Sequence, residues 1–301
     1  MRSKRFIMLL AVVAFACGLF VVSAQGPDDQ VRGAFLSTRP KTTNANAPAR
    51  RHRAPRNTNS NTSSTTAKNA NTGKTNTANS NTSSANKNSA RPSSQAIGLG
   101  YTLFMRDSTG RGVRVEPGHE FHNGDRVRIS LEPNIDGYLY VFNTTDDGAP
   151  VMIYPDARLD AGNNEIEAHV PLEVPSSEET DERSRWFQFD KEVGVERLYI
   201  VVTREPLAAV PISDDLVLFS STNKGPWHPT PEVWAQIQEA TKAEVKVVTS
   251  KTFGQAQTEK EKVATTRGLG LDKSAPYPAV IRMNAATSTP VLVAVLDLVH
   301  K

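Results

Sequence analysis

Arg126-Val127-Arg128-Ile129-Ser130-Leu131-Glu132 is the stretch whose reading decides the fold. Val127, Ile129 and Leu131 alternate with polar residues, so apolar and polar side chains point to opposite faces. That is the pattern of a half-buried antiparallel strand. Asn123-Gly124-Asp125 supplies the turn before it, and Pro133-Asn134-Ile135-Asp136-Gly137 breaks it after Glu132. Tyr138 to Phe142 is aromatic and β-branched, as suits a central strand. Asp146-Asp147-Gly148 then turns the chain into Val151-Met152-Ile153-Tyr154, which makes a hairpin.

The same reading extends in both directions. Leu99, Tyr101, Leu103 and Met105 alternate as an earlier strand. Glu165 to Val170, Trp186 to Phe189 and Glu196 to Thr203 read as further strands, the last apolar enough for the centre of a sheet. After Pro206 the pattern changes. Thr230-Pro231-Glu232 is a helix start, with a capping Thr, Pro in the first turn and an acidic neighbour. Val233, Ile237 and Ala240 share one face, which predicts a helix from Pro231 to about Glu244. Thr249 to Gly270 reads as loop or weak helix, and Ala279–Met283 and Val291–Val299 as two closing strands. The expected fold is mainly β: an antiparallel, Ig-like β-sandwich over 97–301 with a helical insertion at about 207–275.

The N-terminus has a different character. Arg2, Lys4 and Arg5 precede an apolar run from Phe6 to Val22, which ends in the small residues Ser23 and Ala24. This pattern predicts a signal peptide over 1–24 and hence export, to the periplasm or the cell surface. A retained anchor is the alternative. Cys17, the single cysteine, falls inside that run, so a chain cleaved after Ala24 has no thiol for disulfides, catalysis or metal binding. Residues 25–96 read as a disordered linker, because Asn, Thr, Ser, Ala, Lys and Arg bury too little apolar surface to offset ordering entropy. The linker carries eleven Lys and Arg against Asp28 and Asp29, a balance of +9. The remainder carries 21 Lys and Arg against 30 Asp and Glu, a balance of −9. Arg50, Arg51, Arg53 and Arg56 form the sharpest basic cluster and are candidates for contact with an anionic polymer. Without interleaved aromatics they do not suggest specific nucleic-acid binding.

Several motifs occur together between Phe121 and Pro206: Gly124-Asp125-Arg126-Val127-Arg128-Ile129, Gly137-Tyr138-Leu139-Tyr140-Val141-Phe142-Asn143, Tyr154-Pro155, and Glu196-Arg197-Leu198-Tyr199 leading to Thr203-Arg204-Glu205-Pro206. In this order they resemble the bacterial family catalogued as domain of unknown function 4384. The resemblance implies a bacterial source and an accessory β domain, attached in relatives to unrelated modules. It brings no catalytic residues.

The chemistry-bearing residues form no recognised catalytic pattern. His119-Glu120-Phe121-His122 sets its histidines three apart between turns, not four apart on a helix as a zinc protease requires. Asp146, Asp147, Asp156 and Asp160 do not match a calcium loop. No catalytic residue, metal site or cofactor is assigned. Trp227, between Gly225-Pro226 and His228-Pro229, is the best ligand-contact candidate, with His228 beside it; Trp186 and Trp234 read as core. The expectation is a non-catalytic binding or scaffolding module of the cell envelope, held on a basic tether, with an envelope polymer or protein as partner. The alternative is a secreted hydrolase with a loop-built active site.

Overall fold

The structure, a computed structural model, describes residues 26–41, 95–158, 160–223 and 225–301. In chain order its elements are α1 (Pro27–Leu36), β1 (Gly98–Arg106), β2 (Gly112–Arg114), β3 (Glu120–Phe121), β4 (Arg126–Pro133), β5 (Gly137–Thr145) and β6 (Val151–Tyr154). There follow β7 (Glu165–Ile166), β8 (Leu172–Val174), β9 (Phe187–Gln188), β10 (Gly194–Thr203) and α2 (Ser213–Thr222). The last are α3 (Pro231–Ala240), β11 (Val245–Thr249), α4 (Glu259–Thr266), β12 (Val280–Asn284) and β13 (Val291–His300).

The strands form two sheets. The first runs β11-β12-β1-β4-β8, with β2 on β1 and β9 on β4. The second runs β3-β13-β10-β5-β6, with β7 on β5. Every pairing is antiparallel except that of β13 with β3, so the second sheet is mixed. Val127, Ile129 and Leu131 of β4 are buried as their alternation predicts. They share one core with Leu139 and Val141 of β5 and with Leu198, Ile200 and Val202 of β10. The two sheets thus face each other across one apolar layer, a sandwich-like arrangement. The Pro133–Gly137 break carries the chain from the first sheet to the second. Asn134 fixes it by accepting from the Gly98 N–H at 2.7 Å and donating to Ala96 O at 3.1 Å.

Helices cover both outer faces. On the second sheet, Leu216 of α2 and Val233 and Ile237 of α3 pack on Tyr140, Phe142, Tyr199 and Val293. Thr230 caps α3, its hydroxyl accepting from the Val233 N–H, as the sequence predicts, and the helix ends at Ala240 rather than Glu244. On the first sheet, Val31 and Phe35 of α1 pack on Val248, Ile281 and Met283. Ala264 of α4 packs on Leu271 and Ala275.

Three expectations change. Residues 26–41, placed by composition in the linker, belong to the fold: Pro27 opens a helix whose Val31 and Phe35, four apart, bury one stripe. Gln95 and Ala96, also placed in the linker, are held by the domain as well; residues 25 and 42–94, and the 1–24 segment, lie outside the described residues. The 207–275 insertion is not purely helical, because it supplies β11, an edge strand that pairs with β12. Finally, the polar face of β4 is not solvated. Arg128 is 7 % exposed and Glu132 3 %: Arg39 of the covering N-terminal segment pairs with Glu132, and Glu173 of the neighbouring strand β8 pairs with Arg128.

Candidate functional site

A cleft of about 860 Å³ opens where the sheets end side by side. β6 closes the second sheet and β8 the first, and both line it. Pro150 and Pro155 flank β6, while Pro171 and Pro175 flank β8. The Tyr154–Pro155 and Val174–Pro175 peptide bonds are cis. A strap formed by Gly225, Pro226 and Trp227 lies along β6 and, with Leu216 and Ser220 of α2, forms the third wall. Trp227 O accepts from the Met152 N–H at 2.9 Å, and His228 Nδ1–H donates to Pro150 O at 2.9 Å. These two bonds fix the strap without using the indole.

Trp186 and Glu173 belong to the lining, and Arg128 and Gln257, outside it, partner them. Trp186 is 8 % exposed, and the Arg128 guanidinium lies 4.3 Å from its ring centre. Glu173 sits 3.5 Å from Arg128 Nε in an ion pair. Gln257 Nε2 donates to Glu173 Oε1 at 2.7 Å, whereas Glu173 Oε2 has no hydrogen-bond donor. Burial pushes the Arg128 guanidinium below its ordinary value; the Glu173 charge opposes this and Arg185 adds to it. On the rim, Asp156 accepts from the Arg158 backbone N–H and side chain. Burial alone would raise the Asp156 carboxyl, but those bonds and the Arg158 charge hold it below its ordinary value.

A second cavity, of about 480 Å³, shares Ile153 and Phe187 with the first. Asp146, Asp190, Glu192 and Glu196 line it. Two of these are committed internally. Asn143 and Thr145 donate to Glu196 at 2.7 and 3.0 Å, and Asp146 accepts from the Val195 N–H at 2.7 Å. Asp147 pairs with Arg197 and Asp156 with Arg158, so these carboxylates do not converge on one cation. Among the described residues no group of three or more His, Cys, Asp or Glu is placed to hold a metal.

At the opposite end of β4 lies a buried network. Arg39 Nε and Nη2 donate to the two Glu132 oxygens at 2.7 and 2.6 Å. Arg39 also donates to Ala275 O at 3.0 Å and Pro276 O at 3.2 Å. His169 Nδ1–H donates to Glu132 Oε1 at 2.7 Å, and Nε2 lies 2.6 Å from Thr38 Oγ1. Hydroxyl, imidazole and carboxylate in series look like a nucleophile with its base. Here, however, Arg39 already neutralises the carboxylate, and Phe35 O competes for the Thr38 hydroxyl at 3.0 Å. Neither large cavity is lined by Thr38. The arrangement fastens the segment 26–41 to the sheet. Gln95 Nε2 reaches Thr38 Oγ1 at 3.5 Å, and Arg204 donates to Gln95 O.

Of the residues singled out by sequence, Trp227 lines the cleft, half-buried, and His228 is an exposed strap residue. Trp186, read as core, is buried but also lines the cleft. Trp234 packs edge-on to Phe142 and Tyr199, with centroids at 6.2 and 4.7 Å, as a core residue does. His119 meets Phe121 edge-on, with ring centroids 4.8 Å apart, and His122 lies 3.9 Å from Asp125. Arg50, Arg51, Arg53 and Arg56 lie outside the described residues. Arg128, Glu173 and Gln257 were not anticipated as a group. They come from three distant stretches, and only the polar face of β4 hinted at one of them.

Residues 120–206 match the family model described as a domain of unknown function, DUF4384. The match ends at Pro206, so it includes the β6 and β8 walls of the cleft and the Trp186 floor, but not the strap, α2 or α3. No curated protein and no solved structure matches the chain.

Proposed function

We propose that this protein is an exported, non-catalytic binding module of the bacterial cell envelope, and that its ligand seats in the cleft between β6 and β8. The observation that carries this reading is the cleft itself. Its volume of about 860 Å³ falls in the range of ligand sites, which run to about 1,000 Å³. Two indoles line it, among polar groups that include Asp156, Arg158 and Glu179. The Ig-like comparison stays at the level of two facing sheets. The basic cluster Arg50, Arg51, Arg53 and Arg56 adds a separate contact with an anionic envelope polymer. Among the described residues no helix is long and apolar enough to cross a membrane.

Co-sedimentation with isolated envelope, at low and high salt, tests both parts. Replacing the four arginines by Gln removes retention at low salt only, as screening requires. Trp227→Ala lowers the salt-resistant retention about tenfold, a loss of about 1.4 kcal/mol. Retention equal to the parent in both variants refutes the reading.

A further inference from the structure

The inner face of the second sheet is apolar until its strands reach one end. β5 puts Leu139 and Val141 into the shared core, and Asn143 and Thr145 take the next alternate positions. β10 puts Leu198, Ile200 and Val202 there, preceded by Glu196; β13 puts Leu296 and Leu298 there, followed by His300. Side chains alternate along a strand, so these four polar residues continue the core face. The register gathers them, with Thr145 opposite Glu196, Asn143 opposite Leu198 and His300 opposite Gly194. All four line the second cavity, of about 480 Å³, a volume that suits a small ligand.

Three features say what it takes. Asp146, Asp190, Glu192 and Glu196 line the cavity, and no Lys or Arg does. Neighbouring acids are neutralised: Asp147 and Asp297 pair with Arg197, and Glu120 with Lys301. Among the described residues no cation pairs with any of the four. Lys191, between Asp190 and Glu192, is exposed and outside the lining. The bonds from Asn143 and Thr145 hold the Glu196 carboxylate without neutralising it, and a carboxylate has about four acceptor sites. The second feature is His300, 5 % exposed, whose ring lies 5.1 Å from that of Phe189. Among the described residues neither of its ring nitrogens has a hydrogen-bond partner. A neutral imidazole has one nitrogen that accepts, and leaving it unpaired in a buried ring costs stability. The third is the apolar surface between the acids, given by Ile153, Phe187 and the exposed Val193. The carboxylates are also too dispersed to hold a compact metal ion. A flexible chain matches all three features, its methylenes lying on the apolar wall and its charged ends at the acids.

We propose that this cavity binds an alkyl chain bearing two or more ammonium groups, whose N–H donors meet Glu196, Asp190 and the accepting nitrogen of His300. Free polyamines and consecutive lysine side chains share that chemistry. The site is separate from the β6–β8 cleft and stands whatever fills the cleft.

The test is calorimetric titration of the full chain at low salt with a linear triamine, a monoamine of the same length, a trilysine peptide and calcium. The triamine is expected to bind at one site, more weakly as salt screens the charges. Asp190→Asn with Glu192→Gln weakens it about tenfold, by about 1.4 kcal/mol, with the melting temperature unchanged, because both side chains are exposed. Glu196→Gln does the same to the affinity, and His300→Phe weakens it several-fold. Asp214→Asn with Asp215→Asn, an equal loss of charge on α2, leaves it unchanged, as does Trp227→Ala in the neighbouring cleft. Tighter binding of trilysine than of the triamine, with the same dependence on Asp190 and Glu192, upholds the site and makes a peptide the source. The reverse order upholds it with a free amine. A monoamine or calcium that binds as tightly as the triamine overturns the assignment to a polycation. Indifference to the Asp190, Glu192 and Glu196 substitutions, or equal weakening by the α2 pair, overturns the site. Absence of binding by every probe overturns the proposal.

Discussion

Replacing Arg39 by Ala is the sharpest test of how the N-terminal segment belongs to the fold. The Arg39 side chain is 0 % exposed and that of Glu132 4 %. The substitution removes both charge-assisted bonds to Glu132 and the donors to Ala275 O and Pro276 O. Removing one partner of a buried ion pair costs about 3–5 kcal/mol, because the other charge stays buried and uncompensated. His169 still donates to Glu132, which places the loss near the middle of that range, at about 4 kcal/mol. For a domain of this size each kcal/mol lowers the melting temperature by about 2–4 °C. The expected drop is therefore about 8–16 °C. Calorimetric melting of the full chain reads it. Adding Glu132→Gln to Arg39→Met recovers about half of the loss, since the orphaned charge disappears with it. A melting temperature within about 2 °C of the parent would show that Arg39 does not occupy the buried site, and the docking of α1 would fall with it.

Two further outcomes follow from the geometry. A Cβ on Gly137 would stand 2.1 Å from Thr203 O. Gly137→Ala therefore forces β5 from β10 and lowers stability by about 1–3 kcal/mol, read by chemical denaturation; a neutral result would refute the close approach of these strands. The Asp107 carboxyl accepts from the Thr109 hydroxyl and from the Thr109 and Arg111 N–H groups, and is held down to about 2. Its folded value lies below the unfolded one of about 3.9. Its stabilising contribution is thus complete above that unfolded value and is lost as pH falls through the folded one. Carboxyl NMR titration checks this, and a midpoint at the ordinary aspartate value would refute it.

Local sequence carried the strands well where period and turn agreed. β4, the β5–β6 hairpin, β10 and the two closing strands stand close to where alternation and Asp-Gly turns put them. It failed where composition spoke louder than pattern. Pro27, the acidic pair Asp28-Asp29, and Val31 and Phe35 were a readable helix start and stripe, hidden by the adjoining low-complexity tract. Val245-Lys246-Val247-Val248-Thr249 has the residues of a strand, but β-propensity depends on a neighbour, and its partner β12 begins at Val280. The period-2 rule told which residues share a face of β4. It did not tell what covers that face, because Arg39, His169, Glu173 and Gln257 reach it from remote parts of the chain. For the same reason Trp227, singled out from its turn, and Trp186, read as core, are seen to line one cleft only when the sheets are assembled around it.

The contact between Thr38 and Gln95, at 3.5 Å, puts the two described stretches that flank residues 42–94 side by side, and Arg204 holds Gln95 through its carbonyl. Arg39 fastens the first of them to the sheet through Glu132, Ala275 and Pro276. The hold of α1 on the domain is therefore made of packing and ion pairs and does not depend on the covalent path between the two stretches. A chain cut once between 42 and 94 would keep its N-terminal piece, as a bound peptide keeps its groove.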